Sequence, residues 1–146
     1  MGLSDWLEKG WLVKHRPNRR EIKELLGIAD RDTADAQAEG ISTDTRLSIA
    51  YNAALQLAVA ALAAAGYRAG REAHHYRVIQ SLAFTIGANT ELIDQLDSFR
   101  KKRNISDYER AGAVSDQEAK EMLTLAKTLR EMVTGWLKNN HPELFR

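Results

Sequence analysis

The chain has 146 residues, 44% of them apolar and 28% charged, with a formal net charge of +1. That composition fits one globular domain over residues 1–146 with a substantial core; it excludes a disordered chain and a protein drawn to nucleic acid by its overall charge. The absence of cysteine excludes disulfides, thiolate metal sites and a cysteine nucleophile, and with an N-terminus, MGLSDWLEKG, that lacks an apolar signal core it gives the expectation of a cytoplasmic protein.

Taken along the chain, the pattern is helical throughout, with two prolines near the ends and no alternating β-branched runs. Trp6, Trp11 and Leu12 suggest a short helix packed over one end. Asn18 with Glu21 reads as a helix start after Pro17, followed by the apolar face Ile22, Leu25, Leu26 and Ala29, and the helix is expected to run to about Gly40. Ser42 or Thr43 caps a long alanine-rich helix that stops at Gly66. Its stretch SIAYNAALQLAVAALAAAGY is long enough to span a bilayer, but Asn52 and Gln56 are costly in hydrocarbon, and small alanines suit a helix buried at the centre of a bundle. No membrane association is expected.

A further long helix is expected from about Glu72 through Val78, Leu82 and Ile86 to Gly87. Asn89 or Thr90 caps the next, with the stripe Leu92, Leu96 and Phe99, and Ser115 with Glu118 forms a capping box that opens the last, faced by Met122, Leu125, Leu129, Met132, Val133 and Trp136. Short loops between long helices favour antiparallel neighbours, so the expected fold is all-α: an up-and-down bundle of four main helices plus a short N-terminal helix.

Several chemistries are missing from the sequence. No glycine-rich loop precedes a Lys-Ser or Lys-Thr pair, which excludes a nucleotide-hydrolysing phosphate loop, and no two histidines have the i, i+4 spacing that would set a metal between them. His74 and His75 are adjacent and diverge by about 100° on a helix. Neither a metal nor another cofactor is expected. Asp94 and Asp97 lie off the apolar stripe and read as a solvated face.

The stretch SFRKKRNISDYERAG, residues 98–112, stands out because four consecutive cations end an apolar stripe. Continuing from Leu92, Leu96 and Phe99, the helical period brings Arg103 onto the same face and turns Lys101 and Lys102 away, so the two lysines read as mainly solubilising. Ser106 with Glu109 reads as a new helix start, which would bring Asp107 and Tyr108 close to Arg103 and Asn104. Spacing leaves two readings open: Arg103 and Asn104 cap the carbonyls of their own helix end, or the Arg103 fork grips a phosphate.

RKKRNISDY resembles the signature region of HEPN domains (higher eukaryotes and prokaryotes nucleotide-binding), helical bundles whose motif is an Arg, a polar residue that is often Asn, and a His a few residues on. DTRLSIAYNAALQLAVAALAAAGYRA and REAHHYRVIQSL are similar to the long helix and the His-containing helix start of bacterial members, and the resemblance covers roughly residues 20 to 142. It implies a homodimer that binds RNA or a nucleotide, in some members a metal-independent ribonuclease of a toxin–antitoxin pair, with an antitoxin or a nucleotidyltransferase as protein partner. Carried over by position, Arg103 and Asn104 match the motif and Tyr108 stands where its His belongs, which makes these three the candidate catalytic residues. Arg100, Arg103, Asp107, His74 and His75 are the candidate RNA- or nucleotide-binding residues. A phenol of pKa about 10 is a poor general base at neutral pH, so the resemblance also implies a second class of function, a non-catalytic module that docks a protein.

Overall fold

The computed structural model describes residues 2–108 and 114–145, with residues 105–108 described as backbone alone. It is mostly helical. In chain order the described residues form α1 (Leu3–Glu8), β1 (Leu12–Lys14), α2 (Arg19–Asp35), α3 (Thr43–Ala64), β2 (Tyr67–Ala69), α4 (His74–Ser81), α5 (Thr90–Tyr108), α6 (Asp116–Asn140) and α7 (Pro142–Phe145).

The starts follow local chemistry. Asn18 accepts a bond from the Glu21 amide to open α2, Ser42 does the same for Thr45 in α3, and Asn89 for Leu92 in α5. At α6 the capping box is complete, with Ser115 and Glu118 each accepting from the other's backbone amide. The Glu21 carboxylate does not complete a box at α2; both its oxygens lie 2.8 Å from His15 Nε2 instead. Helix α2 ends at Asp35, short of Gly40, because Arg46 of α3 donates to the carbonyls of Ala36 and Ala38 and closes the chain there.

At the centre lies α3. It packs most extensively on α6 and α2, and also meets α4, α5 and β2. Thirteen of its 22 residues are buried, among them Ala50, Ala53, Ala54, Ala58, Ala60 and Ala61, and no single apolar face is needed when neighbours approach from several sides. The helix is long and apolar enough to cross a membrane, and 72% of its most apolar window is buried within the molecule. Leu47, Leu57 and Leu62 of α3, Met122, Leu129 and Leu137 of α6 and Ile22 of α2 complete the densest part of the core.

Three departures from the sequence pattern matter for the site. First, the fold is not helix alone: β1 and β2 pair antiparallel, with Leu12 opposite Ala69 and Lys14 opposite Tyr67. Each strand has three residues and its partner lies more than fifty positions away, too short for alternation to register and too distant for a hairpin signal. Trp11 and Leu12 therefore belong to the approach to β1 and to β1 itself, while Trp6 alone sits in the short helix. Gly66, at φ +98°, lets the chain leave α3 and turn into β2. Second, the long helix expected over 72–87 is the eight-residue α4 followed by turns, with Gly87 at φ +71° closing the segment. Third, α5 continues through Ser106 to Tyr108, so there is no new helix start at Ser106, and Arg103 and Asn104 sit inside a helix rather than capping one. Glu109, the other half of the expected box, lies outside the described residues.

Enlarging a buried alanine of α3 tests this packing. Ala61→Leu, at a site with 0% exposure, should lower stability by about 1–3 kcal/mol through overpacking, read as a lower urea midpoint at unchanged slope.

Candidate functional site

On α5 the basic cluster is organised by an acid. Asp97, with 13% of its side chain exposed, accepts a 2.7 Å bond from Arg100 Nε one turn on and has Lys101 Nζ at 3.5 Å. This corrects the expectation of a solvated Asp94–Asp97 face: Asp94 is exposed, but Asp97 is a largely covered partner of the cations. Lys102 also departs from a merely solubilising role, because it pairs with Glu118 of α6 at 3.2 Å and ties the two helices. Lys101 remains the exposed member.

Arg103 turns inward. Its Nε is buried, and its guanidinium carbon lies 5.6 Å from the centre of the Tyr51 ring on α3, within cation–π range. Tyr51 is 1% exposed, and burial drives its hydroxyl pKa up to about 12 against the opposing pull of Arg103 and Arg100. The phenol is therefore neutral at any physiological pH and acts as a hydrogen-bonding group.

Opposite α5 stands the N-terminus of α4. Ala73, which precedes it, is the one non-glycine residue at positive φ among the described residues, at φ 51° and ψ 38°. That left-handed turn costs on the order of 1 kcal/mol, and beyond it the helical period turns His74 and His75 to different partners. His74 Nδ1 lies 3.3 Å from the Gly70 carbonyl, and His75 Nδ1 lies 3.5 Å from the Tyr51 hydroxyl, the outer edge of hydrogen bonding. Burial, then the charge of Arg103, then His74 and Arg100 hold the His75 pKa below its ordinary value of 6.5, so this imidazole is neutral at pH 7.

Between α4 and α5 opens a pocket of about 460 Å³ lined by Ala73, His74, His75, Tyr76, Arg100 and Asn104. The structure thus gathers five of the sequence-selected residues: His74, His75, Arg100 and Asn104 line the pocket, and Arg103 packs behind it on Tyr51. The roles expected of the Asp107 and Tyr108 side chains lie outside the described residues. Sequence reading missed three contributors: Tyr51, read as one more core position on its helix; Tyr76, whose exposed ring borders the pocket; and Asp97, read as part of a solvated face. The i, i+3 spacing of Asp97 and Arg100 carried a signal for the last of these. Among the described residues no group of three or more His, Cys, Asp or Glu could hold a metal ion.

The arrangement sets a neutral imidazole, a phenol, an amide and the Arg100 guanidinium around an open cleft, with the Arg103 guanidinium behind it, between two helices that both rest on the long buried one. This is the chemistry expected of a phosphate-bearing ligand. The family model for the HEPN domain matches residues 22–137, and the chain belongs to that family, whose members are in general concerned with nucleotides or RNA. Comparison with curated proteins finds no match.

Depression of the His75 pKa makes stability pH-dependent. Above 6.5 the imidazole is neutral both folded and unfolded; as pH falls below 6.5 the unfolded chain takes the proton first, so stability is lost progressively down to the lower folded value. Urea denaturation on either side of pH 6.5 should show this loss in the parent and a smaller one in His75→Gln.

Proposed function

We propose that this HEPN protein binds RNA in the α4–α5 pocket and cleaves it without a metal, with His75 supplying the imidazole that the motif position, Tyr108, lacks. The observation that carries this reading is His75 itself, kept neutral by burial and by Arg103 and braced by Tyr51 at the wall of a pocket that also holds Arg100.

In the productive tautomer the proton sits on Nδ1, shared with the Tyr51 oxygen, and Nε2 carries a lone pair. That nitrogen takes the proton of an RNA 2′-hydroxyl as its oxygen bonds to phosphorus. The bond from phosphorus to the 5′ oxygen breaks, and the leaving oxygen receives a proton from the His74 ring. The products are a 2′,3′-cyclic phosphate and a 5′-hydroxyl end. Arg103 and Arg100 stabilise the charge that builds on phosphoryl oxygen, and Asn104 positions the backbone. A homodimer, in which two such pockets flank one RNA, and a cytoplasmic location belong to the same reading.

A second reading draws on Tyr108 standing at the motif His position: a non-catalytic module that docks a protein such as a nucleotidyltransferase or an antitoxin.

Mixed RNA incubated with the purified protein and a chelator separates the two. The first reading expects cyclic-phosphate ends that disappear in His75→Ala, and an acid limb of the rate profile displaced below 6.5 in line with the lowered His75 value. RNA that is bound but left intact would favour the second. Arg103→Lys keeps the charge but loses the planar fork, so it should impair binding and cleavage nearly as much as Arg103→Ala, while Lys101→Ala changes both little.

A further inference from the structure

From the pocket, a line of alternating rings and cations continues across the face of α4 to the N-terminal segment. The guanidinium carbon of Arg100 lies 5.6 Å from the centre of the Tyr76 ring, and that of Arg77 lies 5.9 Å from the same ring. Arg77 also lies 3.6 Å from the centre of the Trp11 ring, where Lys9 Nζ stands 4.6 Å away. Tyr76 is 39% exposed, Trp11 is half-buried and Lys9 is exposed.

Arg100 is paired with Asp97, but the two cations farther along the line have no carboxylate partner among the described residues. Two cations share the Trp11 ring, yet neither Lys9 nor Arg77 has a carboxylate within ion-pairing distance among the described residues, and the buried Arg77 Nε has no hydrogen-bond partner there. Like charges gathered on one indole without an acid between them repel, and an anion laid along them removes that cost. The rings are also held in place. Trp11 is flanked edge-on by Trp6, which meets Phe84 edge-on in turn. The Gly70 amide donates to the Trp11 carbonyl at 3.1 Å, while the Gly70 carbonyl is the group that meets His74. One backbone residue therefore links the segment that carries the indole to the His74 imidazole of the pocket.

Rings that accept a stacked base, interleaved with cations that accept phosphate, are the chemistry of sequence-tolerant binding to an unpaired strand. A mononucleotide would be held by the pocket and leave the line unused; an acidic polypeptide would use the cations but has no bases to stack. Resting on the reading of the pocket as an RNA site, we propose that Lys9, Trp11, Arg77 and Tyr76 form a path along which single-stranded RNA runs into the pocket at Arg100.

The experiment measures fluorescence anisotropy of labelled, unstructured RNA from a dinucleotide to a twelve-mer on the full chain. Trp11→Ala and Tyr76→Ala should each weaken binding of the twelve-mer by about tenfold, with a loss that shrinks as the RNA is shortened. Trp11→Phe, which keeps a ring, should restore most of it, and Arg77→Gln should reduce the slope of log affinity on log salt by about one. Since Tyr76 is exposed, its variant remains informative should Trp11→Ala fold poorly. The path is overturned while the pocket stands if Arg103→Ala abolishes twelve-mer binding and neither ring variant changes it. It is overturned equally if the ring variants weaken polyglutamate as much as RNA, which would make the line a face for an acidic protein. Failure of the parent to bind RNA of any length overturns the pocket reading and the path with it.

Discussion

Close approach to the alanine faces of α3 is the constraint on which the other elements depend. Because Ala50, Ala53, Ala54, Ala58, Ala60 and Ala61 carry a single methyl each, α2 and α6 come near enough to bury them, and α4 and α5 reach the same helix from another side. A helix enclosed in this way gains its stability from neighbours rather than from one amphipathic stripe. The polar ties between neighbours then lie at its margins: Arg130 of α6 on Asp30 of α2, Thr43 on Asp116, and Asn52 donating to the largely buried Asp32 at 2.6 Å.

Tyr51 interrupts this run of small residues with a ring that meets side chains of both α4 and α5. Its ring receives Arg103 from α5 and its hydroxyl meets His75 from α4, so one core residue touches both an imidazole and a guanidinium of the site. The electrostatic consequence is mutual. Burial, reinforced by Arg103, keeps His75 neutral, and burial keeps Tyr51 protonated, so the pair presents fixed hydrogen-bonding roles around a cationic centre.

What could be read from the sequence follows from how local each determinant is. Asn18, Ser42, Asn89 and Ser115 act within three residues of themselves, and each marks a helix start found in the structure. The inward turn of Arg103 follows from the helical period that carries Leu96 and Phe99 into the core. The two strands do not register, because their pairing joins segments that only the length of α2 and α3 brings together. Tyr51 escaped notice for a related reason: a buried tyrosine on a core helix looks the same in sequence whether its hydroxyl meets a carbonyl or a histidine from a distant helix. The break expected at Ser106 shows the converse, a cap signature overridden by a helix that continues through it.

The pocket's two walls are carried by separate elements. Helix α4 brings the imidazoles and α5 the guanidinium groups, each resting on α3, and the Lys102–Glu118 pair ties α5 to α6. A ligand that spans the pocket therefore acts as a crosslink between the walls. Its binding energy adds directly to the resistance of that seam against opening, so ligand concentration becomes a variable of the protein's folding equilibrium as much as of its occupancy.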